Sequence, residues 1–224
     1  MRPLVIVRPE PGATATARAA GDLGLSTIVM PLFAVRPLDW ERPDARHFDA
    51  LLLTSANAVR NAGEGLERYR RLPAHCVGEA TAAAARQAGL AVESVGPGTI
   101  DPLLASLPTR LRLLHLCGAH RREPAPPSQQ ITVVPVYEAV ELPAGERVAE
   151  LEGAVVAVHS PRAAERVARV VEDAGLDRGR IAIVAISPEA GRGAGGGWSA
   201  VEIAPEPSDR AILAIAARLC NNPR

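Results

Sequence analysis

The sequence predicts an α/β fold built on parallel sheets, and three observations carry that prediction. Short apolar runs are apolar throughout rather than alternating, as strands buried on both faces are. Stretches with a helical apolar stripe lie between them. An internal repeat then divides much of the chain into two similar halves: Ala50–Ala58 lines up with Val155–Ala163, and Gly78–Ala105 lines up without gaps 109 positions later, where Ala91-Val92-Glu93 meets Ala200-Val201-Glu202.

In chain order, the predicted strands are Leu4–Val7, Thr27–Met30, Ala50–Leu53, His75–Val77, Ala91–Val95, Leu111–Leu116, Ile131–Val134, Ala154–Val158, Ile181–Ile186 and Ala200–Ile203. Helix is predicted over Ala82–Ala88 and over Ala163–Ala174, where Ala163, Ala164, Val167, Val170, Val171 and Ala174 share a face. Pro31–Trp40 and Pro135–Pro143 read as linkers or a thin two-stranded connector, because proline disfavours helix and central strand. The first two strands precede the first copy and are free to complete the sheet of the second. The expected plan is therefore discontinuous: residues 1–34 with 142–224 in one domain, and 38–134 in the other.

Composition narrows the function. The 224 residues carry 25 basic and 25 acidic side chains, so net charge is zero. That argues against a broad nucleic-acid or anionic-membrane surface, while leaving room for a local basic pocket. Every basic residue is Arg. With no Lys there is no Schiff-base or pyridoxal-phosphate chemistry and no Walker A lysine. Cys76, Cys117 and Cys220 are widely spaced, with no Cys-x-x-Cys pair, and no two of the five histidines are spaced to share a helical metal site. Neither a metal nor a cofactor is expected. The apolar run Leu4–Val7 is too short for a signal peptide or a membrane span, so the expected location is the cytoplasm.

One device recurs where strands end. Leu53 runs into Thr54-Ser55-Ala56-Asn57, Val77 into Gly78-Glu79, Val158 into His159-Ser160-Pro161, and Ile186 into Ser187-Pro188. Ser followed by Pro is a helix-start signal. The same positions are where parallel sheets bind ligands and where helix amides face anions. Each is therefore either a cap alone or part of an anion-binding edge. Gly191–Gly196 spells the dinucleotide fingerprint, yet it does not directly follow a strand and it leads into the next one, so a short glycine-rich helix is the expectation. His120 and His159, near strand ends, are within reach of a cleft. Tyr137, on the second crossing segment, is either a packed connector residue or a neutral proton donor, its phenol protonated at pH 7.

Val5-Ile6-Val7-Arg8-Pro9-Glu10, Leu53-Thr54-Ser55-Ala56-Asn57-Ala58-Val59, Val77-Gly78-Glu79-Ala80-Thr81-Ala82, Leu116-Cys117-Gly118, Val136-Tyr137-Glu138 and Ser160-Pro161-Arg162-Ala163 stand in the order seen in uroporphyrinogen-III synthases. The chain resembles that family over nearly its whole length. It departs from the family at Ser187 and Ala190, where members carry Gly and then Thr, and after Gly118, where prolines at 124, 126 and 127 replace a helix. The resemblance implies two flavodoxin-like parallel-sheet domains joined by a two-stranded connector. It implies a monomeric lyase of porphyrin and heme biosynthesis that cyclises hydroxymethylbilane to uroporphyrinogen III, with loss of water and inversion of the last pyrrole ring. The electron push comes from the pyrroles, so orientation and one acid are what the protein supplies. Tyr137 is the expected acid, with water or a substrate carboxyl as the other options. Arg8, Ser55, Asn57, Gly78, Gly118, Ser160 and Ser187 are the expected substrate-binding positions, many acting through backbone amides. The rival reading is a non-catalytic two-lobed binder or sensor of an anionic small molecule.

Overall fold

The structure, a computed structural model, describes residues 1–121 and 123–221. Among them eleven strands form: β1 (Leu4–Ile6), β2 (Thr27–Val29), β3 (Phe33–Pro37), β4 (Ala50–Leu53), β5 (Ala74–Cys76), β6 (Val92–Val95), β7 (Arg112–Gly118), β8 (Gln130–Glu141), β9 (Val155–Val158), β10 (Ala182–Ala185) and β11 (Ala200–Ile203). Seven α-helices occur among the described residues: α1 (Gly12–Asp22), α2 (Ala56–Asn61), α3 (Glu79–Gln87), α4 (Ile100–Ser106), α5 (Pro161–Asp173), α6 (Pro188–Ala194) and α7 (Asp209–Asn221). Two compact units result, Met1–Ala34 with Glu141–Arg224, and Val35–Val140.

The first unit holds a five-stranded sheet in the order β11-β10-β9-β1-β2. All its paired strands are parallel, with Leu4 opposite both Thr27 and Val155. The sheet is apolar through its middle: β1, β9 and β10 are fully buried. One face, with Leu4, Ile6, Val155, Ala157, Ala182 and Val184, packs on Ala13 and Ala20 of α1 and on Ile212, Leu213 and Ala216 of α7. Helix α5 buries Ala163, Ala164, Val167, Val170 and Val171, the predicted stripe. Ala174, expected on that stripe, is instead the exposed C-cap.

The second unit holds the order β3-β8-β7-β4-β5-β6. Its strands alternate between two covers. Leu51, Leu53, Ala74, Cys76, Leu114 and Leu116 pack with α2 and α3, while Ala50, Leu52 and Leu113 pack with Ile100, Leu103 and Leu104 of α4. The two sheets share one spatial order. β6-β5-β4-β7-β8 matches β11-β10-β9-β1-β2 position for position, with the chain entering at a different strand. Hence β4-β5-β6 and β9-β10-β11, the segments that the sequence repeat aligns, lie alike.

The second crossing segment differs from expectation. The sequence predicts a strand ending at Val134 and then a linker or a thin two-stranded connector, whereas β8 runs unbroken from Gln130 to Glu141. Pro135 has no amide to give, and the ladder to β7 shifts register just after Cys117↔Pro135, which accommodates it. The chain passes between the units within β3 and β8, which are neighbours in the sheet. Between β7 and β8 no helix occurs among the described residues, and Arg122, part of the proline-rich replacement, lies outside them. No helix among the described residues is long and apolar enough to cross a membrane.

Candidate functional site

In each unit the strand order reverses chain direction at one place, between β9 and β1 in the first and between β4 and β7 in the second. Crossover helices diverge there, so a crevice opens beyond the carboxyl ends of the strands. The residues singled out by sequence sit at those ends. Arg8, Ser160 and Ser187 follow β1, β9 and β10, while Ser55 and Gly78 follow β4 and β5, and Gly118 closes β7.

In the second unit the sequence candidates touch one another. Tyr137 of β8 lies opposite Gly118, at the register shift. A Cβ on Gly118 would stand 2.7 Å from Tyr137 Cζ and 2.9 Å from its hydroxyl, so only glycine lets the ring lie there. The Ser55 hydroxyl is within hydrogen-bonding reach of the Tyr137 phenol. Burial pushes that phenol above its ordinary pKa, the Ser55 contact pulling the other way, so Tyr137 is protonated at neutral pH. Ser55 Oγ also accepts the Asn57 amide at 3.1 Å, capping α2, and the Asn57 carbonyl accepts from Asn61 Nδ2 at 2.8 Å. Gly78 begins α3 with no side-chain cap, and a Cβ there would meet Gly98 Cα at an ordinary 3.5 Å.

Beside these residues is a cavity of about 260 Å³ lined by Thr54, Val77, Gly98, Thr99, Ile100, His120 and Arg121. His120 thus reaches an open site. Thr54 is fixed by a 2.9 Å hydrogen bond to Nε2 of His115, a buried histidine in β7. Burial first, and the Arg121 charge second, push His115 down to about 4, so it is neutral at pH 7.

In the first unit Ser160 and Ser187 cap α5 and α6. Their hydroxyls accept the Ala163 amide at 3.1 Å and the Ala190 amide at 3.3 Å, each with proline at the next position. Arg8 is engaged: its Nη1 donates to Asp209 Oδ1 at 2.8 Å, to Oδ2 at 3.0 Å and to Thr16 Oγ1 at 3.2 Å. Thr16 donates to Asp209 Oδ2 at 2.6 Å, and Nε2 of His159 lies 3.1 Å from Oδ1. Burial acts to raise the Asp209 pKa, but His159, Arg8 and Thr16 together hold it well below the usual carboxylate range. Burial also lowers His159, so a neutral imidazole donates through Nε2 to an ionised carboxylate. His159, expected near a cleft, is buried in this network.

Sequence reasoning missed Asp209 and Thr16, because Asp209 lies 201 positions from Arg8 and no local pattern joins them. It also missed Thr99 and Arg121 at the cavity. The glycine-rich segment is a short helix packed on another helix. A Cβ on Gly193 would stand 2.8 Å from the Pro161 carbonyl oxygen, so the glycines serve close approach of α6 to α5.

Comparison with known proteins agrees with this architecture. The family model of uroporphyrinogen-III synthase HemD matches residues 14–214. A curated uroporphyrinogen-III synthase of Chlorobaculum parvum is 28% identical over 102 residues, and the match spans 42% of this chain and 42% of that protein. The crystal structure of uroporphyrinogen-III synthetase from Helicobacter pylori superposes with a TM-score of 0.63 at 21% identity, covering 98% of this chain and 100% of that one. A mutant uroporphyrinogen III synthase from Thermus thermophilus superposes with a TM-score of 0.57 at 17% identity, covering 97% and 98%. At these identities the structural likeness is one of fold.

Proposed function

This chain belongs to the uroporphyrinogen-III synthase family, and from that premise we propose that it cyclises hydroxymethylbilane to uroporphyrinogen III, releasing water and inverting the last pyrrole ring. The match of the family model over residues 14–214 carries the reading. The terminal hydroxyl of the bilane leaves as water, which requires one proton. The resulting azafulvene is attacked by the substituted carbon of the far ring, and the spiro intermediate fragments and recloses.

Tyr137 is the residue we assign to the proton. Its phenol is neutral, raised by burial, and its ring is held between Gly118 and Ser55. No lysine competes for the role, and the buried histidines His115 and His159 are held neutral by burial. Arg8, Ser55, Asn57, Gly78, Gly118, Ser160 and Ser187 are the positions we assign to substrate binding. All three serines already accept capping amides at their hydroxyls, which favours contact through the first-turn amides. We take the two compact units as the two domains, 1–34 with 142–224 and 38–134, and the enzyme as a cytoplasmic monomer without nucleic-acid or membrane partners, the monomer resting on the family resemblance, the location on the short apolar run Leu4–Val7, and the lack of such partners on the neutral charge.

The deciding experiment incubates the protein with freshly generated hydroxymethylbilane, oxidises the products and separates the porphyrin isomers. Type III isomer above the spontaneous background is the expected result. Type I alone, at the uncatalysed rate, overturns the assignment.

A further inference from the structure

The network around Arg8 is costly to build and the proposed chemistry does not use all of it. A carboxylate and an imidazole sit together at the crevice between β1 and β9, with a threonine buried to 0% exposure. The carboxylate and the threonine bond the guanidinium of Arg8 directly, and the imidazole bonds the carboxylate. Asp209 and Thr16 together take Nη1. Among the described residues, Nε and Nη2 have no hydrogen-bond partner, and the side chain is 30% exposed. Those two nitrogens form the fork edge that pairs with a carboxylate through two parallel hydrogen bonds.

Gly12 completes the arrangement. A Cβ there would lie 2.6 Å from Nε, 2.9 Å from Cζ and 3.0 Å from Nη2 of Arg8. Those atoms are the two nitrogens of the fork edge and the carbon between them, so the point stands beside that edge. Any side chain at position 12 would therefore crowd the fork edge, and glycine is what leaves room there. A free arginine has four rotatable bonds to order before it forms a bidentate pair. This one is ordered beforehand.

We propose that Asp209 and Gly12 are positioning residues that hold Arg8 as a preformed fork for one carboxylate of the substrate. The proposal rests on the function assigned above for the identity of that substrate, a linear tetrapyrrole bearing acetate and propionate groups. Its charge logic is unusual. Arg8 and Asp209 cancel and His159 is neutral, so the subsite selects by hydrogen-bond direction instead of by net positive charge. Asp209 itself meets the far side of the guanidinium from the incoming carboxylate.

This makes the effect of Asp209→Asn decisive in sign. If Asp209 merely competes with substrate for Arg8, removing its charge strengthens anion binding and lowers KM. If Asp209 positions Arg8, the same change releases the guanidinium and raises KM. We expect KM for type III formation to rise about tenfold with kcat within about twofold, the pattern of lost uniform binding. Gly12→Ala reaches the same end without touching a charge, because the new methyl displaces the flexible arginine and leaves the backbone in place. It too should raise KM about tenfold, with an unchanged circular dichroism spectrum. In an Arg8→Ala background, neither substitution should change KM further, a coupling that a merely structural role would not produce.

A second readout separates this proposal from the functional one. Affinity for uroporphyrin I, a stable octacarboxylate, is measured by fluorescence titration of wild type and variants. Should the wild type form no type III isomer, the functional reading fails, and weaker porphyrin binding by Asp209→Asn still supports the fork. Unchanged or tighter binding of substrate and porphyrin by Asp209→Asn, or an unchanged KM with a lowered kcat, overturns it. So does an equal loss with and without Arg8.

Discussion

Tyr137, the proton donor proposed above, is placed by two neighbours. Gly118 leaves the volume its ring fills, and the Ser55 hydroxyl meets its phenol. Tyr137→Phe keeps the ring and removes the proton. Turnover to the type III isomer should fall about 10–100-fold, less than the most that general-acid catalysis supplies because the pyrrole nitrogen helps expel the hydroxyl. Single-turnover kinetics on the folded variant measures this, and an undiminished rate moves the acid role to water or to a substrate carboxyl. His115 makes a separate prediction. Its folded pKa of about 4 lies below the ordinary 6.5, so the unfolded chain takes up the proton first. The stabilisation is complete above pH 6.5, declines as pH falls to about 4, and amounts to about 3 kcal/mol across that window. His75 and His159 are also lowered by burial and act with the same sign. Urea unfolding at a series of pH values should show a shallower acid slope for His115→Gln than for the wild type. The serine caps were legible in the sequence because capping chemistry spans three residues. The Arg8–Asp209 pair was not, since only the folded sheet brings β1 and the start of α7 together.

Elements followed the apolar runs closely where burial on both faces left one reading. Ala50–Leu53, buried at every residue, is a strand over the predicted residues, and Ala200–Ile203 matches too although its Val201 and Ile203 are exposed. β8 was cut short in the sequence reading because its proline signals a break. Sheet context overrode that signal, since a register shift beside Pro135 absorbs the missing amide. The proline-rich stretch after Gly118 has the opposite outcome, with no helix among its described residues. One consequence is visible on β8, where Val133, on the face that such a helix would cover, is 37% exposed. The glycine-rich α6 resolves a different ambiguity. Gly193 lies against Pro161, the first residue of α5, with no room for a methyl group. Because the obstructing atoms are backbone, Gly193→Ala must push the two helices apart, at a cost of about 1–3 kcal/mol. Thermal unfolding of that variant should show the loss, whereas Gly196→Ala, with nothing within 4 Å of the added carbon, should melt within a degree or two of the wild type. Equal melting temperatures for both would remove packing as the reason for the glycines.

At the scale of the whole molecule, the repeat in the sequence corresponds to a repeat in space with the chain threaded differently. β4-β5-β6 is completed by β7 and β8, which follow it, while β9-β10-β11 is completed by β1 and β2, which precede it by more than a hundred residues. The strand runs alone could not rank these alternatives. The copy number of the repeat did, because two leading strands were left without a sheet. The threading has an energetic consequence. β9 lies between β10 and β1, and Val155, Val156, Ala157 and Val158 are all 0% exposed. Without β1, β9 becomes an edge strand with an unpaired ladder and bare apolar side chains, which favours aggregation over folding. The second unit lacks that dependence, since β4 to β8 are continuous in sequence. Residues 35–140 expressed alone should therefore unfold cooperatively in urea, while residues 141–224 expressed alone should give no native-like transition. Adding residues 1–34 ahead of Glu141 through a short glycine–serine linker should restore one, because Leu142 already bonds the Leu32 carbonyl at 2.9 Å and the joint spans little distance. Near-ultraviolet circular dichroism and urea titration of the three chains test this directly. A cooperative transition from residues 141–224 without the first two strands would show that the discontinuous unit does not depend on its N-terminal piece.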